Sequence, residues 1–337
     1  MSIQLSKTSK LNENTIASVY SDYLFEGMGR NQKLMHIECD LGLSIVKFDI
    51  FKFAEQYPDR FVNVGIAEAN AVGFACGLSH QNFIPYVHSF GPFMSRRVAD
   101  QVFMAGAYSN ANVKLIGSDP GIVAAYNGGT HMPFEDIAIM RSIPTIKIVE
   151  PADNVSAKAL FPLIEKDYGM YYIRLARKNV VDIYEEGTSF EIGKGNILCE
   201  GTDVTIFAMG VMLEEALKAV HLLKNENISA KLVDMFTIRP LDRDLIIQSA
   251  KETGAIVTCE NHSVNGGLGD AVSQVVFEEH IVPVERIGVK EKFGQVGDMD
   301  FLKEEYNLTA KDIANAAKVA ISKKESVYHE KKNGHFS

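Results

Sequence analysis

The chain has 337 residues, of which 46% are hydrophobic and 23% are charged, and its formal net charge is −9. This length and composition indicate a globular protein of about two domains and exclude a disordered or fibrous chain. An acidic total without a compensating basic segment argues against nucleic acid as a partner.

The cysteines and the N-terminus indicate the compartment. Cys39, Cys76, Cys199 and Cys259 are widely spaced, so the sequence predicts neither a zinc site nor a disulfide framework, and we expect a reducing cytoplasm. Residues 1–14 lack the apolar run of a signal peptide, and no stretch of about 20 apolar residues could span a membrane. We expect no metal site built from this chain's own residues.

The first half of the chain alternates short apolar runs with helix-like segments. The predicted strands are 34–40, 61–65, 83–87, 113–117, 145–149 and 170–175. The predicted helices are 14–29, 66–80, 95–108, 134–141 and 153–166. This alternation is typical of a mostly parallel, doubly wound sheet with helices on both faces.

Mixed charge and several glycines interrupt the pattern at 178–203, which we interpret as a partly stranded linker. The alternation then restarts, with strands at 204–209, 230–235, 255–260 and 284–289 and helices at 213–224, 242–252, 268–279 and 309–322. The sequence therefore predicts two α/β domains, the larger at 14–177 and the smaller at 204–322. An N-terminal extension (1–13) and a mobile polar tail (323–337) flank them.

Chemically active side chains follow the predicted strands. Ligands of open parallel sheets gather at the carboxyl ends of the strands, so these side chains should share one rim. They are Asp40, Glu68, Phe90, Phe93, Asp119, Asn127, His131, Arg174 and Arg177. Taken singly, the histidine and the phenylalanines have commoner structural roles, but their convergence favours a site.

Glu68 opens a predicted helix that is rich in alanine and glycine, so close packing should bury its carboxylate. A buried carboxylate takes up a proton or is held by a specific partner. The alternative is that Glu68 simply caps the helix N-terminus. A second open question concerns Asn265-Gly-Gly-Leu-Gly269, whose backbone N–H groups could hold an anion or form only a tight turn.

Taken together, the motifs of this chain resemble the transketolase family over residues 14–321. The likeness covers that family's pyrimidine-binding domain followed by its C-terminal domain. The family's third domain, which binds diphosphate and metal through a Gly-Asp-Gly motif, has no counterpart here. The motifs that carry the resemblance are Phe61-Val-Asn-Val-Gly-Ile-Ala-Glu68, Asn127-Gly-Gly-Thr-His131, Phe134-Glu-Asp136, Glu150-Pro-Ala-Asp153, Ile173-Arg-Leu-Ala-Arg177, Thr237-Ile-Arg-Pro-Leu241, Glu260-Asn-His-Ser263 and Gly266-Gly-Leu-Gly269.

The resemblance implies a thiamine diphosphate-dependent transferase that moves a two-carbon ketol unit from a ketose to an aldehyde. Glu68 would activate the cofactor through its aminopyrimidine, which Phe90 and Phe93 would contact and Asp40 would adjoin. An N-terminal transketolase subunit would supply the diphosphate site and its Mg²⁺ or Ca²⁺, in an α2β2 assembly. The resemblance also implies sugar or sugar-phosphate substrates.

For the substrate, the resemblance implies roles for His131 in proton transfer or hydroxyl orientation and for Arg177 in binding an anion. Asp119 replaces a family histidine that contacts the donor, and Asn127 replaces a donor-binding aspartate. Val19 replaces a phosphate-binding arginine, whereas Ser44 retains a phosphate contact. We therefore expect a modified, branched or differently charged ketose in place of xylulose 5-phosphate.

The role of two neighbouring arginines is open at this point, and so are two alternative functions of the chain. Arg96 or Arg97 could replace the lost charge or could belong to the surface or an interface. The same pair of domains occurs in the β subunit of a 2-oxo acid dehydrogenase. A regulatory subunit that kept the fold and lost catalysis is the other alternative.

Overall fold

Two separate parallel sheets organise the chain, which confirms the α/β class predicted from the sequence. The computed structural model describes residues 3–6, 11–41 and 50–332. The strands are β1 (Leu11–Thr15), β2 (Leu34–Glu38), β3 (Phe61–Asn63), β4 (Ile84–Phe90), β5 (Lys114–Ser118), β6 (Lys147–Val149), β7 (Tyr171–Leu175), β8 (Asn179–Val181), β9 (Asn196–Cys199), β10 (Val204–Ala208), β11 (Ala230–Asp234), β12 (Thr237–Arg239), β13 (Ile256–Ser263) and β14 (Val284–Val289).

Helices cover the sheets, and side chains fix where several of them begin. Thr15 and Asp153 each cap a helix by accepting a hydrogen bond from a backbone N–H in its first turn. A 3₁₀ turn (Arg96–Val98), α4 and a π-helical segment (Val102–Tyr108) follow one another, and a 3₁₀ segment spans Gly121–Asn127. The helices are α1 (Ile16–Arg30), α2 (Ile50–Gln56), α3 (Glu68–Ser79), α4 (Ala99–Gln101), α5 (Asp136–Ser142), α6 (Asn154–Lys166), α7 (Met212–Asn225), α8 (Arg243–Thr253), α9 (Leu268–Glu279), α10 (Met299–Glu305) and α11 (Ala310–Lys332).

The first sheet has the strand order β12-β6-β7-β5-β4-β2-β3 and is parallel except for β12. From β2 the chain moves outward to β3 and then returns to the other side of β2 for β4. This reversal creates a switch point between β2 and β4, where the loops at the carboxyl ends of the strands diverge. The second sheet, β14-β13-β10-β11-β9, is parallel except for β9.

The two halves are joined more closely than the sequence predicted. Strand β12 follows β11 in the chain, yet it adds to the edge of the first sheet beside β6. The predicted linker contains β8, which pairs with β1, and β9, which joins the second sheet. Residues 323–332, predicted to lie in a mobile tail, continue α11 in the structure, and within them Lys324 donates to the backbone oxygens of Thr253 and Asp203.

A buried arginine holds the halves together. Arg174 on β7 is fully buried, whereas the sequence predicted it at the rim. Its guanidinium donates to Asp136 at 2.8 Å, to Glu150 and, at 2.9 Å, to the backbone oxygen of Asn261 in the second sheet. Burial raises the pKa of Glu150, and the arginine opposes that rise. The guanidinium is therefore the charged partner of two buried carboxyl groups at the domain boundary.

Replacing this cation should destabilise the whole chain. We expect Arg174→Met to lower the free energy of unfolding by about 3–5 kcal/mol at neutral pH, because it leaves buried carboxylates unpaired. Without the arginine, burial would raise the pKa of Glu150 further above its unfolded value, so the folded variant would bind a proton there. The loss in free energy of unfolding should consequently become smaller as the pH falls from about 8 to about 5. Urea unfolding of both chains over this range measures the effect.

The matched control is Arg243→Met, which removes an arginine whose side chain is 44% exposed and paired with Glu278 and Glu279. Water screens both charges of an exposed ion pair, so this variant should unfold almost like the native chain. Equal losses in the two variants would contradict the role given to Arg174.

Candidate active site

Glu68 is the first residue of α3, and it is only 1% exposed, as the sequence predicted. Its carboxylate accepts hydrogen bonds from the Ser89 hydroxyl at 3.0 Å and from Nη1 of Arg97 at 2.6 Å. The N-cap residue, Ala67, makes no side-chain capping bond. The carboxylate is therefore held by side chains beyond its own helix, which a simple helix cap would not require.

Two phenylalanines form an aromatic wall beside this carboxylate. The ring centroids of Phe90 and Phe93 lie 6.1 Å apart, and the His131 ring meets each of them edge-on at 5.2 Å. The guanidinium carbon of Arg97 lies 4.1 Å from the Phe93 centroid, and that of Arg177 lies 4.6 Å from the Phe90 centroid. Both ring faces thus pack against a flat cation.

Asp119 directly follows β5 and forms a buried ion pair with Arg177. Its φ of +57° is in the left-handed region, where an aspartate is strained unless its surroundings hold it. The Asp119 N–H donates to the Leu175 backbone oxygen at 3.0 Å. Contacts therefore run without interruption from Glu68 through the aromatic wall to Asp119.

His131 is suited to hydrogen bonding as a neutral imidazole. Burial lowers its pKa, and the nearby Asp119 carboxylate opposes that shift. Its Nδ1 lies 2.9 Å from the Thr130 hydroxyl, which leaves the ring oriented against Phe90 and Phe93. A neutral ring offers one donor and one acceptor nitrogen.

None of the other predicted residues that the structure describes belongs to this chain of contacts. Asp40 is exposed and accepts a hydrogen bond from Asn63 at 3.0 Å, and Asn127 is exposed at the end of its 3₁₀ segment. Val19 is buried in the core on α1, and Ser44 lies outside the described residues. Arg96 pairs with Glu135.

Sequence reasoning missed the side chains that support the rim. Ser89 directly precedes Phe90, but only the phenylalanines were chosen as candidates. Arg97 was considered as a source of substrate-binding charge or as a surface or interface residue, and not as a partner of Glu68, which lies 29 residues away in the sequence. Asn261, in the second domain, bonds to the backbone at Pro120 and Ile122. No local pattern indicates such long-range partners.

A buried polar network lies beneath the rim. Glu38 on β2 contacts His36 at 3.2 Å and His88 at 2.9 Å, and the other nitrogen of His88 lies 3.1 Å from the Ser118 hydroxyl. Although burial would raise the pKa of Glu38, His88 and His36 hold it below its usual range. The network ties together the ends of β2, β4 and β5.

The glycine-rich turn before α9 proves to be occupied by the protein itself. The Glu260 carboxylate accepts hydrogen bonds from the N–H groups of Leu268 at 2.7 Å and Gly269 at 2.8 Å. A Cβ on Gly267 would lie 1.8 Å from this carboxylate, so the turn needs glycine there. Burial raises the Glu260 pKa to about 7. Of the two interpretations of this segment, the structure supports the tight turn.

Three further observations concern the described residues. They contain no group of three or more His, Cys, Asp or Glu side chains placed to hold a metal ion. None of their helices is both long enough and apolar enough to cross a membrane. All four cysteines are free thiols.

Comparison with known proteins gives consistent matches over nearly the whole chain. Family models match it at residues 14–181 (transketolase, pyrimidine binding domain) and 193–313 (transketolase, C-terminal domain). It is 44% identical over 315 residues to a 6-deoxy-6-sulfo-D-fructose transketolase subunit of Clostridium sp. (strain MSTE9), covering 94% of this chain and 97% of that protein.

Two other matches extend this result. The chain is 34% identical over 305 residues to one subunit of an apulose-4-phosphate transketolase from Phocaeicola vulgatus, covering 90% of this chain and 96% of that protein. A solved structure of a split-gene transketolase, in the form of an inactive beta4 tetramer, superposes with a TM-score of 0.83. That structure is 37% identical and covers 93% of this chain and 100% of its own.

Proposed function

This chain belongs to the transketolase family, and we propose that it is the subunit of a split transketolase that binds the aminopyrimidine of thiamine diphosphate. The enzyme would transfer a two-carbon ketol unit from a ketose to an aldehyde. One observation carries the proposal: the buried Glu68 carboxylate lies beside Phe90 and Phe93 at the rim of a parallel sheet, and it is held by side chains that another ligand could replace.

The groups around Glu68 fit an aminopyrimidine. They now bind the guanidinium of Arg97, which is flat, carries N–H donors and packs on the Phe93 face. An aminopyrimidine shares these properties and could take the same position once Arg97 moves aside. When bound, thiamine diphosphate supplies the nucleophilic carbon that accepts the ketol unit.

Each side chain would then act at a stated place. Glu68 would hold a proton at the pyrimidine nitrogen N1′, Phe90 and Phe93 would orient the ring, and Asp40 would lie near it. Neutral His131 can donate or accept a hydrogen bond at a donor hydroxyl. The positions of Glu68, Phe90, Phe93 and His131 support their roles, and the chemistry of the family supports that of Asp40.

Substrate binding would involve Asp119 and Arg177, at the far end of the contacts that run from Glu68 through the aromatic wall. The Asp119 carboxylate can accept a hydrogen bond from a donor hydroxyl, and Asn127 and Ser44 would complete the donor contacts. Arg177 would bind an anionic group on the sugar, although Asp119 already neutralises part of its charge.

The proposed partner is an N-terminal transketolase subunit that carries the diphosphate-binding domain and Mg²⁺ or Ca²⁺, in an α2β2 assembly. Apolar side chains are exposed on α3, on the residues just before it and on the adjoining π-helical segment. They are Ile66, Phe74, Phe103, Met104 and Tyr108. Because this face adjoins Glu68, a subunit that covered it could complete the cofactor site.

We place the assembly in the cytoplasm, since free thiols suit a reducing compartment.

For the donor, we propose a ketose with a singly charged anionic group such as a sulfonate. The 44% identical relative is named for a sulfonated ketose. A phosphate monoester carries about −1.5 to −2 charge near neutral pH, whereas a sulfonate carries one negative charge. Arg177 paired with Asp119 offers less positive charge than a free arginine and suits the weaker anion.

Calorimetric titration of thiamine diphosphate with magnesium tests the split site. We expect tight binding only when this chain is mixed with a chain carrying a Gly-Asp-Gly diphosphate-binding domain, because each subunit holds one end of the cofactor. Absence of binding in the mixture would favour the non-catalytic alternative. Tight binding by this chain alone would contradict the proposed division of the site.

The Glu68→Gln variant tests the proposed chemistry of the carboxylate. In the reconstituted enzyme we expect turnover to fall by at least about a hundredfold, the usual contribution of a proton-transfer group. Assembly should persist because the amide has the same shape. The control is Ser89→Ala, which removes one hydrogen bond to Glu68 and should cost only about fivefold. Unchanged turnover in Glu68→Gln would eliminate the mechanism.

A donor panel tests the proposed substrate class. The reconstituted enzyme should show a higher kcat/KM for 6-deoxy-6-sulfofructose than for xylulose 5-phosphate. Arg177→Met should lower kcat/KM for the sulfonated donor by about 10–100-fold, the effect of losing a charged hydrogen bond. Arg243→Met, distant from the rim, should leave it unchanged. Preference for xylulose 5-phosphate would contradict the assignment.

A further inference from the structure

One buried amide of the second domain contacts the rim of the first. Asn261 lies on β13 and is fully buried. Its Nδ2 donates to the Pro120 backbone oxygen at 2.8 Å, and its Oδ1 accepts from the Ile122 N–H at 2.9 Å. Both partners lie in the segment 119–127, here called the donor loop, which begins at Asp119.

We propose that Asn261 is a positioning residue through which the C-terminal domain sets the donor loop and thereby the donor affinity of the enzyme. The inference rests on the proposed function, since it needs Asp119 and Asn127 to contact the donor. It gives the C-terminal domain a defined part in substrate recognition, although that domain supplies none of the groups placed at the cofactor.

The donor loop needs external support because its backbone is unfavourable by itself. Asp119, Gly121 and Ala125 have φ values of +57°, +50° and +46°. For the two residues that carry a side chain, this region is sparsely populated and persists only where the surroundings enforce it. The two hydrogen bonds to Asn261 hold the backbone on either side of Gly121, at Pro120 and at Ile122.

The loop and Asn261 are closely fitted to each other. A Cβ on Gly121 would lie 2.1 Å from Oδ1 of Asn261, so the absence of a side chain at 121 permits the contact. On its other side, the Asn261 backbone oxygen accepts a hydrogen bond from Arg174 at 2.9 Å. The amide is therefore fixed to the cluster that joins the two halves, and it transmits their relative position to the donor loop.

Two substitutions approach the contact from its two sides. Asn261→Ala removes both hydrogen bonds, and Gly121→Ala forces the loop away without changing β13. In the reconstituted enzyme, each should raise the KM for the ketose donor about tenfold, which corresponds to about 1.4 kcal/mol. The Kd for thiamine diphosphate, measured by calorimetry, should change by less than about twofold, because Asn261 contacts the donor loop and none of the groups placed at the cofactor.

The control is Asn265→Ala, the same substitution at an exposed asparagine that bonds to Glu291 outside the donor loop. It should leave the KM for the donor unchanged. Asn261→Asp keeps the acceptor for the Ile122 N–H but turns a carboxylate oxygen toward the Pro120 oxygen, so it should raise the donor KM at least as much as the alanine variant. Gly121→Ala, which leaves every side chain of β13 unchanged, decides the question if the Asn261 variants do not assemble.

The outcomes separate this inference from the proposed function. A native donor KM in the Asn261 variants would overturn the inference, as would equal changes in donor KM and cofactor Kd, which indicate a general structural loss. If the native enzyme fails to cleave any ketose donor, the proposed function fails before the variants are compared.

Discussion

A carboxylate removed from water must be paired, and the site of this protein is arranged around that constraint at Glu68. Its small neighbours in α3 allow the close packing that buries it, and the burial makes a hydrogen-bonding partner obligatory. Ser89 and Arg97 meet the requirement in the described structure. Because Arg97 is 44% exposed, its guanidinium can leave toward solvent, and the carboxylate then needs another donor of N–H groups.

Glu260 shows why the kind of partner matters. Like Glu68, it is a buried carboxylate close to the start of a helix, but its partners are backbone N–H groups of that helix. Backbone donors cannot move aside without unwinding the helix, so Glu260 serves the fold. Side-chain donors can rotate away, so the pairing at Glu68 is compatible with a ligand. This distinction separates a structural carboxylate from a candidate catalytic one more clearly than burial does.

Sequence periodicity predicted the parts of this structure that depend on neighbours in the chain. Buried strands alternate with helices, so the sheets and the rim could be inferred, together with the burial of Glu68. The placement of Arg174 could not, because its partners come from α5, the end of β6 and the second sheet. Likewise, β12 joins the first sheet through pairing with β6, and Lys324 of α11 binds a carbonyl group of a distant segment. Contacts between remote segments determine these features, and no local pattern records them.

An aspartate at position 119, where the family resemblance leads us to expect a histidine, has a consistent physical explanation. Among residues with a side chain, asparagine, aspartate and histidine tolerate the left-handed backbone best, so an aspartate could replace a histidine there without rebuilding the loop. Its negative charge lies next to Arg177, and the ion pair reduces the positive potential at the Phe90 face. In the proposed function, a doubly charged phosphate would gain less from such a site than from an unpaired arginine, whereas the binding of a singly charged group would be weakened less. One substitution at a restricted backbone position would then shift which anion the rim prefers and leave the proposed cofactor end, at Glu68, unchanged.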